Sequence, residues 1–384
     1  MSDVSRRAFL RSVLALSGVA IAGCSTAAPA PPTAAPAPTS APPQPAATSA
    51  APAAAATSAP PAAAATNAPA PANAAPGKPA ALTPIKLVWV ALTANQMLWP
   101  VAKEAGYFEK YGLDADLTYL QGSSNAVPAL MSKDIDMASV AGSAVVSAQA
   151  GGSDLVMIAG FLNIAIFRIM ALPEFTKVED LKGKAIAVTR VGNADYFAWQ
   201  TIIDRLGWKE SDLNYVNAND VNGQVALLKT GDVQAISVSP PNNVLAEQVG
   251  AKQILDSAEL KEPEQNVGVA VTRAYIAEHR PIISNMLKAS IEAIVRWKKD
   301  PAFIKKVIST YLKTEDQRFT DTGYDAYVNV WPQAPYPTRE GLIRVIDQVA
   351  AQNPRAKGLD PDKLMDLSFV KELEDSGFIR QIYG

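Results

Sequence analysis

The sequence predicts an α/β fold of two βαβ lobes with a ligand cleft between them and a helical C-terminal part. Three observations point there. Short segments rich in β-branched and aromatic residues alternate with helical ones from residue 85 onward. The alternation restarts after Leu181-Lys182-Gly183-Lys184. A helix–turn–strand unit also recurs at one fixed spacing: Val127, Leu130, Asp134, Ser139 and Val140 return 98 positions later as Val225, Leu228, Asp232, Ser237 and Val238 (225 − 127 = 98).

Taken in order, residues 85–91 (IKLVWVA) read as a strand. Thr93-Ala94-Asn95-Gln96 matches a capping box opening a helix toward Glu104, which Gly106 ends. Residues 115–119 form the next strand. After Gly122-Ser123-Ser124 come a helix through Leu130 and a strand at 135–140. The second run begins with a strand at 185–188, the loop 189–194 and a helix at 195–206. Strands follow at 213–216, 233–238, 253–255 and 267–271. Beyond Arg273 the pattern is helical, with amphipathic stretches at 282–297, 303–312 and 342–351. In such sheets ligands bind beyond the carboxyl ends of the strands, where helix N-termini offer free N–H groups. Two similar lobes set two groups of these ends face to face.

Composition removes other functions. Lys and Arg number 35 against 37 Asp and Glu, for a net charge of −2, so nothing favours nucleic acid or an anionic membrane surface. One cysteine, Cys24, and one histidine, His279, leave no intrachain disulfide and scarcely a Cys/His metal site; no cofactor is expected. His279 is also remote in sequence from any serine-nucleophile motif, which argues against a hydrolase triad. It reads instead as a helix-end residue.

The N-terminus reads as an address. Arg6-Arg7-Ala8-Phe9-Leu10 followed by an apolar run to Ala22 describes a signal peptide over residues 1–23, with a twin-arginine-like head. Ile21-Ala22-Gly23-Cys24 resembles a bacterial lipobox, which makes Cys24 the expected lipidation site and membrane anchor. Residues 24–83 are almost entirely Ala, Pro, Ser and Thr, a composition that builds no core and reads as a disordered tether.

The folded part resembles the substrate-binding proteins of ABC importers of the nitrate/sulfonate/taurine and thiamine-pyrimidine type. The likeness rests on residues 104–114 (EAGYFEKYGLD), the Gly122 loop, Ala129-Leu130 leading to residues 134–138 (DIDMA), residues 180–184 (DLKGK) and 228–233 (LKTGDV), and Ser376-Gly377-Phe378-Ile379. It implies a type II periplasmic-binding fold, with lobe one at 84–172 plus 268–384 and lobe two at 173–267. It implies a monomer on the outer face of the cell membrane, closing on a small solute and docking on a membrane permease, without enzymatic activity. Carried over position by position, the ligand-binding candidates are Thr93, Gln96, Gly122, Ser123, Ser124, Gly142 and Ser143 in lobe one. Lobe two contributes Thr189, Gly192, Asn193, Pro241 and Asn242. Each Ser, Thr or Asn among them is equally at home as a helix N-cap.

Around these, Arg190 suits an anion, Asn163 and Arg168 stand near a lobe crossing, and Trp99, Tyr196 and Trp199 sit at core-packing spacing. The expected solute is a sulfonate, nitrate or taurine-like anion, or a pyrimidine, with a lean toward a small anion or polar organic molecule. Two other functions remain open at this point: a lipoprotein presenting a ligand to a signalling partner, and an enzyme like the thiamine-pyrimidine synthases.

Overall fold

The computed structural model describes residues 81–384. The signal segment, Cys24 and the tether up to residue 80 lie outside the described residues. Strands β1 (Thr83–Trp89), β2 (Leu113–Tyr119), β3 (Met137–Val140), β4 (Leu155–Ile164) and β10 (Pro263–Thr272) form one sheet in the order β2-β1-β3-β10-β4. Strands β5 (Arg168–Ala171), β6 (Ala185–Val188), β7 (Asn214–Asn217), β8 (Ala235–Val238) and β9 (Lys252–Asp256) form the other, in the order β7-β6-β8-β5-β9. In each sheet three strands run parallel and the remaining pairings are antiparallel. These are the two lobes expected from the sequence.

The 98-residue repeat is literal. Helix α3 (Ser123–Met131) and β3 superpose in number on α6 (Val221–Thr230) and β8, counted from the start of each helix. The turns match as well: Lys133 and Gly231 both take left-handed backbone. Ser132 Oγ donates to Asp134 at 2.7 Å where Thr230 Oγ1 donates to Asp232 at 2.6 Å. Each side-chain bond closes the same tight turn.

Helices α1 (Leu98–Glu104) and α2 (Tyr107–Lys110) follow β1, and α4 (Gly142–Ala150) follows β3. In lobe two, α5 (Ala194–Leu206) and α7 (Asn243–Gln248) follow β6 and β8. From β10 the chain enters α8 (Arg273–Lys299), α9 (Pro301–Leu312), α10 (Gln317–Asp325), α11 (Arg339–Ala350), α12 (Ser368–Asp375) and α13 (Phe378–Tyr383). The first core lies between the lobe-one sheet and α1, α8 and α9, with Trp99, Trp297, Trp331 and Tyr327 fully buried. The second runs from the opposite face of that sheet through α11 to α5 and β6. Arg344 of α11 pairs with Asp204 at 2.9 Å, and Gln348 Nε2 donates to Thr201 Oγ1 at 3.1 Å. Helix α11 therefore braces the two lobes where the chain crosses between them. Among the described residues no helix is long and apolar enough to cross a membrane.

Several sequence readings change. Residues 93–96 do not open a helix through a capping box: Thr93 makes no cap bond, its hydroxyl donating to Asn95 instead, and a 3-10 turn at Ala94–Gln96 precedes α1. Strands β4 and β5 escaped notice because β4 is buried on both faces and lacks alternation. Arg168–Ala171, placed in lobe one from the sequence, pairs with β8 and β9 in the lobe-two sheet, so that sheet begins at residue 168. The expected helix at 282–297 is the rear part of α8, which bends at His279 (φ −132°), two residues before Pro281. His279 stacks on Tyr275 at 4.2 Å, away from the cleft.

Candidate functional site

Between the two sheets lies a cavity of about 480 Å³, walled by residues of both lobes. The sequence placed seven of its twelve candidates on that wall: Thr93, Gln96, Gly122, Ser123, Thr189, Asn193 and Asn242. The other five stand off it. Ser124 and Gly192 are exposed, and Ser143 is buried. Gly142 is pressed against Gln265, so tightly that an added Cβ would lie 2.8 Å from the Gln265 carbonyl oxygen. Pro241 packs toward Gly323 of α10. Arg190 is exposed and off the wall, Arg168 is paired with Asp256, and Asn163 Nδ2 donates to the Tyr336 carbonyl at 2.9 Å. Trp99, Tyr196 and Trp199 are core residues, as their spacing implied.

The lobe-one wall is built from the loops after β1, β2 and β3. Val90 N–H donates to Gln96 Oε1 at 3.4 Å, which turns the Gln96 side chain inward. Gly122 caps α3 with no side chain, in left-handed backbone (φ +81°), and Ser123 Oγ accepts the Ala141 N–H at 3.1 Å. Tyr119, half-exposed, and Phe167 and Phe319, both buried, add aromatic surface. Lys313, in left-handed backbone at the end of α9, brings Leu312 and Thr314 to the rim.

The lobe-two wall has different chemistry. The turn after β6 is tied by Asn193 Nδ2 donating to Thr189 Oγ1 at 3.1 Å. Asp195, in the first turn of α5, accepts from Thr189 N–H at 2.5 Å, from Thr189 Oγ1 at 2.8 Å and from Gln224 Nε2 at 3.1 Å. Its carboxyl is nearly buried, and desolvation pushes its pKa up to about 6, against the pull of the Thr189 donors and of the N–H groups of Asp195 and Tyr196. Gln224, fully buried in α6, also donates to the carbonyls of Ala187 (3.0 Å) and Ser237 (3.3 Å), while its Oε1 has no partner. Asp220 caps α6 through Gly223 N–H at 2.7 Å. Its charge and the burial of the ring, burial being the larger effect, raise the Tyr119 pKa from across the cleft.

Sequence reasoning passed over Asp195, Asp220 and Gln224. The signal was present in the repeat, which aligns Asp220 with Gly122 and Gln224 with Ala126 (220 − 122 = 224 − 126 = 98). Polar groups stand in lobe two where lobe one keeps small ones. At the mouth the lobes touch: Gln121 Nε2 donates to the Asn219 carbonyl at 2.5 Å, between repeat-equivalent positions, and Asn242 Nδ2 donates to the Leu92 carbonyl at 3.2 Å. Among the described residues no His/Cys/Asp/Glu cluster fits a metal ion.

Two sheet lobes joined by strand crossings, with a polar cleft at facing strand ends, define the periplasmic-binding-protein fold. The NMT1/THI5 like family model matches residues 94–303, more than half of the chain, and the chain belongs to that family. Three similar solved structures illustrate what the fold carries. The periplasmic aliphatic sulphonate binding protein SsuA from Escherichia coli has a TM-score of 0.61 and 16% identity, over 73% of this chain and 91% of that one. The periplasmic nitrate-binding protein NrtA from Synechocystis PCC 6803 has a TM-score of 0.62 and 14% identity, over 77% and 89%. The desulfurization enzyme DSZB has a TM-score of 0.55 and 13% identity, over 76% and 99%. At these identities the likeness is one of fold. No curated protein matches the chain at a significant level.

Proposed function

We propose that this protein captures a small polar solute outside the cytoplasm and delivers it to an ABC importer, acting as a monomer tethered to the membrane by a lipid on Cys24. The observation that carries this reading is the cleft itself: about 480 Å³, lined from both lobes, and closed at its mouth by the Gln121 and Asn242 contacts. Such a cleft holds its solute best when closed, so binding shifts the population toward the closed form that docks on a permease. The sulfonate- and nitrate-binding proteins of the same fold support the reading.

The chemistry of the wall favours binding over catalysis. Its titratable side chains are Asp195, Asp220, Tyr119 and Lys313, and His279 lines a separate hollow. The fold's occurrence in a desulfurization enzyme makes the question worth a direct assay. The test is thermal unfolding of the full chain against sulfonates, nitrate, taurine, pyrimidines and amines, with product analysis after incubation. Solute at ~100 times Kd stabilises by about 2.7 kcal/mol, a shift of several degrees. Unchanged solute with a raised Tm supports capture; turnover of the solute refutes it.

A further inference from the structure

The inference rests on the cleft being the solute site, and it concerns which solute. Three facts about the lobe-two wall converge. Asp195 is a nearly buried carboxylate whose partners, Thr189 and Gln224, are neutral. A buried charge without a counter-charge is unfavourable until something compensates it. Gln224 is locked by three acceptors on its Nε2, which fixes its amide orientation and leaves Oε1 as an unpartnered acceptor beside Asp195. The one cation on the cleft wall is Lys313, exposed at the rim, and Asp220 adds a second negative charge at the mouth. Among the described residues, neither Asp195 nor Asp220 makes an ion pair.

The N-terminal donors of α5 do not offer a ready anion site. Asp195 already occupies that end of the helix, where its charge is favourable, and an incoming anion would meet it. Gln224 Oε1 calls for a donor and Asp195 for positive charge. A protonated nitrogen meets both demands with one group.

We propose that Asp195 and Gln224 form a subsite for a protonated nitrogen, so that the protein selects a small amine-bearing solute over a simple anion such as nitrate or an alkanesulfonate. The rest of the solute then meets the aromatic Tyr119, Phe167 and Phe319 and the start of α3 at Gly122, where no side chain covers the backbone N–H groups and they suit an acceptor.

The experiment uses the full chain, incubated with a deproteinised bacterial small-molecule extract. The protein is then desalted and unfolded, the released solute is identified by mass spectrometry, and its Kd is measured. Asp195→Asn is run in parallel, because an asparagine keeps the shape and accepts from Thr189 N–H and Gln224 while donating to Thr189 Oγ1. A thermal scan of the variant verifies its fold. The expected result is an amine-bearing solute captured by the wild type, with affinity lowered about tenfold or more in Asp195→Asn. Asp220→Asn, which keeps the cap, is expected to lose about threefold. Capture of nitrate, a sulfonate without an amine or an uncharged sugar overturns the inference and leaves the capture function standing. So does an amine held equally by the variant. If nothing is captured, the capture function falls, and this inference with it.

Discussion

The repeat lets the two halves of the cleft be compared position by position, and at two buried or capping positions they differ in the same direction. Gly122 and Asp220 both cap the helix that enters the cleft; the first has no side chain, and the second spends a carboxylate on Gly223 N–H. One turn further in, Ala126 and Gln224 are both fully buried, but only the second brings polar atoms. Lobe one retains plain backbone donors, whereas lobe two has filled the same geometry with acceptors and negative charge. The repeated unit supplies the frame, and side chains at its strand ends give the cleft two unlike ends.

The largest expected effect breaks the asymmetry at Asp195. Burial raises its folded-state pKa to about 6 from an ordinary 3.8. Because the folded form holds its proton more tightly, ionisation costs stability as pH rises from about 4, and the cost is complete above about 6, near 3 kcal/mol. Asp195→Asn is thus expected to unfold at a higher temperature than wild type at pH 7.5 and to lose that advantage at pH 4. Calorimetry at both values measures this, and an equal Tm difference at the two refutes a buried, desolvated carboxylate. The same substitution weakens amine binding, so stability and capture move in opposite directions.

Next in size is Gly223→Ala. A Cβ there would lie 2.1 Å from the Ala218 carbonyl oxygen, so the start of α6 must shift, at ~1–3 kcal/mol. Its repeat partner Asn125 is exposed and donates to the Gln121 carbonyl at 2.6 Å, and Asn125→Ala is expected to cost no more than about 1 kcal/mol. Denaturant midpoints for the pair sharpen the comparison; equal losses would mean that the two helix starts are not under different constraints. Asp220→Ala removes the α6 cap, which costs about 1 kcal/mol by the same measurement. The smallest effect belongs to Gln121→Ala, which deletes one bond across the mouth at about 1 kcal/mol or less. It is expected to speed solute release several-fold, read by stopped-flow dissociation.

Much of this was legible beforehand, because a repeat leaves matching spacings of Asp, Ser and apolar residues that survive without knowledge of contacts. Strand ends could be located, and the resemblance to the substrate-binding proteins then supplied the cleft candidates at those ends. What stayed hidden were groups whose role depends on burial. Asp195 in a helix's first turn reads as a favourable dipole partner, and nothing in its neighbours says that it faces a cavity. Gln224 sits mid-helix among Val221, Val225 and Leu228 with no mark of its three hydrogen bonds. Strand β5 was misplaced because three of its four residues are apolar whichever sheet receives them, and Arg168 does not announce its partner. Its pairing is settled by partners about 70 and 85 residues away, at β8 and β9.

That pairing has a consequence for how the molecule can be rebuilt. Arg168 and Asp256 are direct cross-strand neighbours, and their side chains form an ion pair. The chain thus leaves for the second lobe and returns from it through one pair of adjacent residues, which clasp the lobe at its chain ends. Residues 168–256 are therefore an exchangeable part. A relative's second lobe, grafted at that clasp, would carry its own half of the recognition surface onto this scaffold. The graft must keep the α5 positions that α11 grips, Thr201 and Asp204.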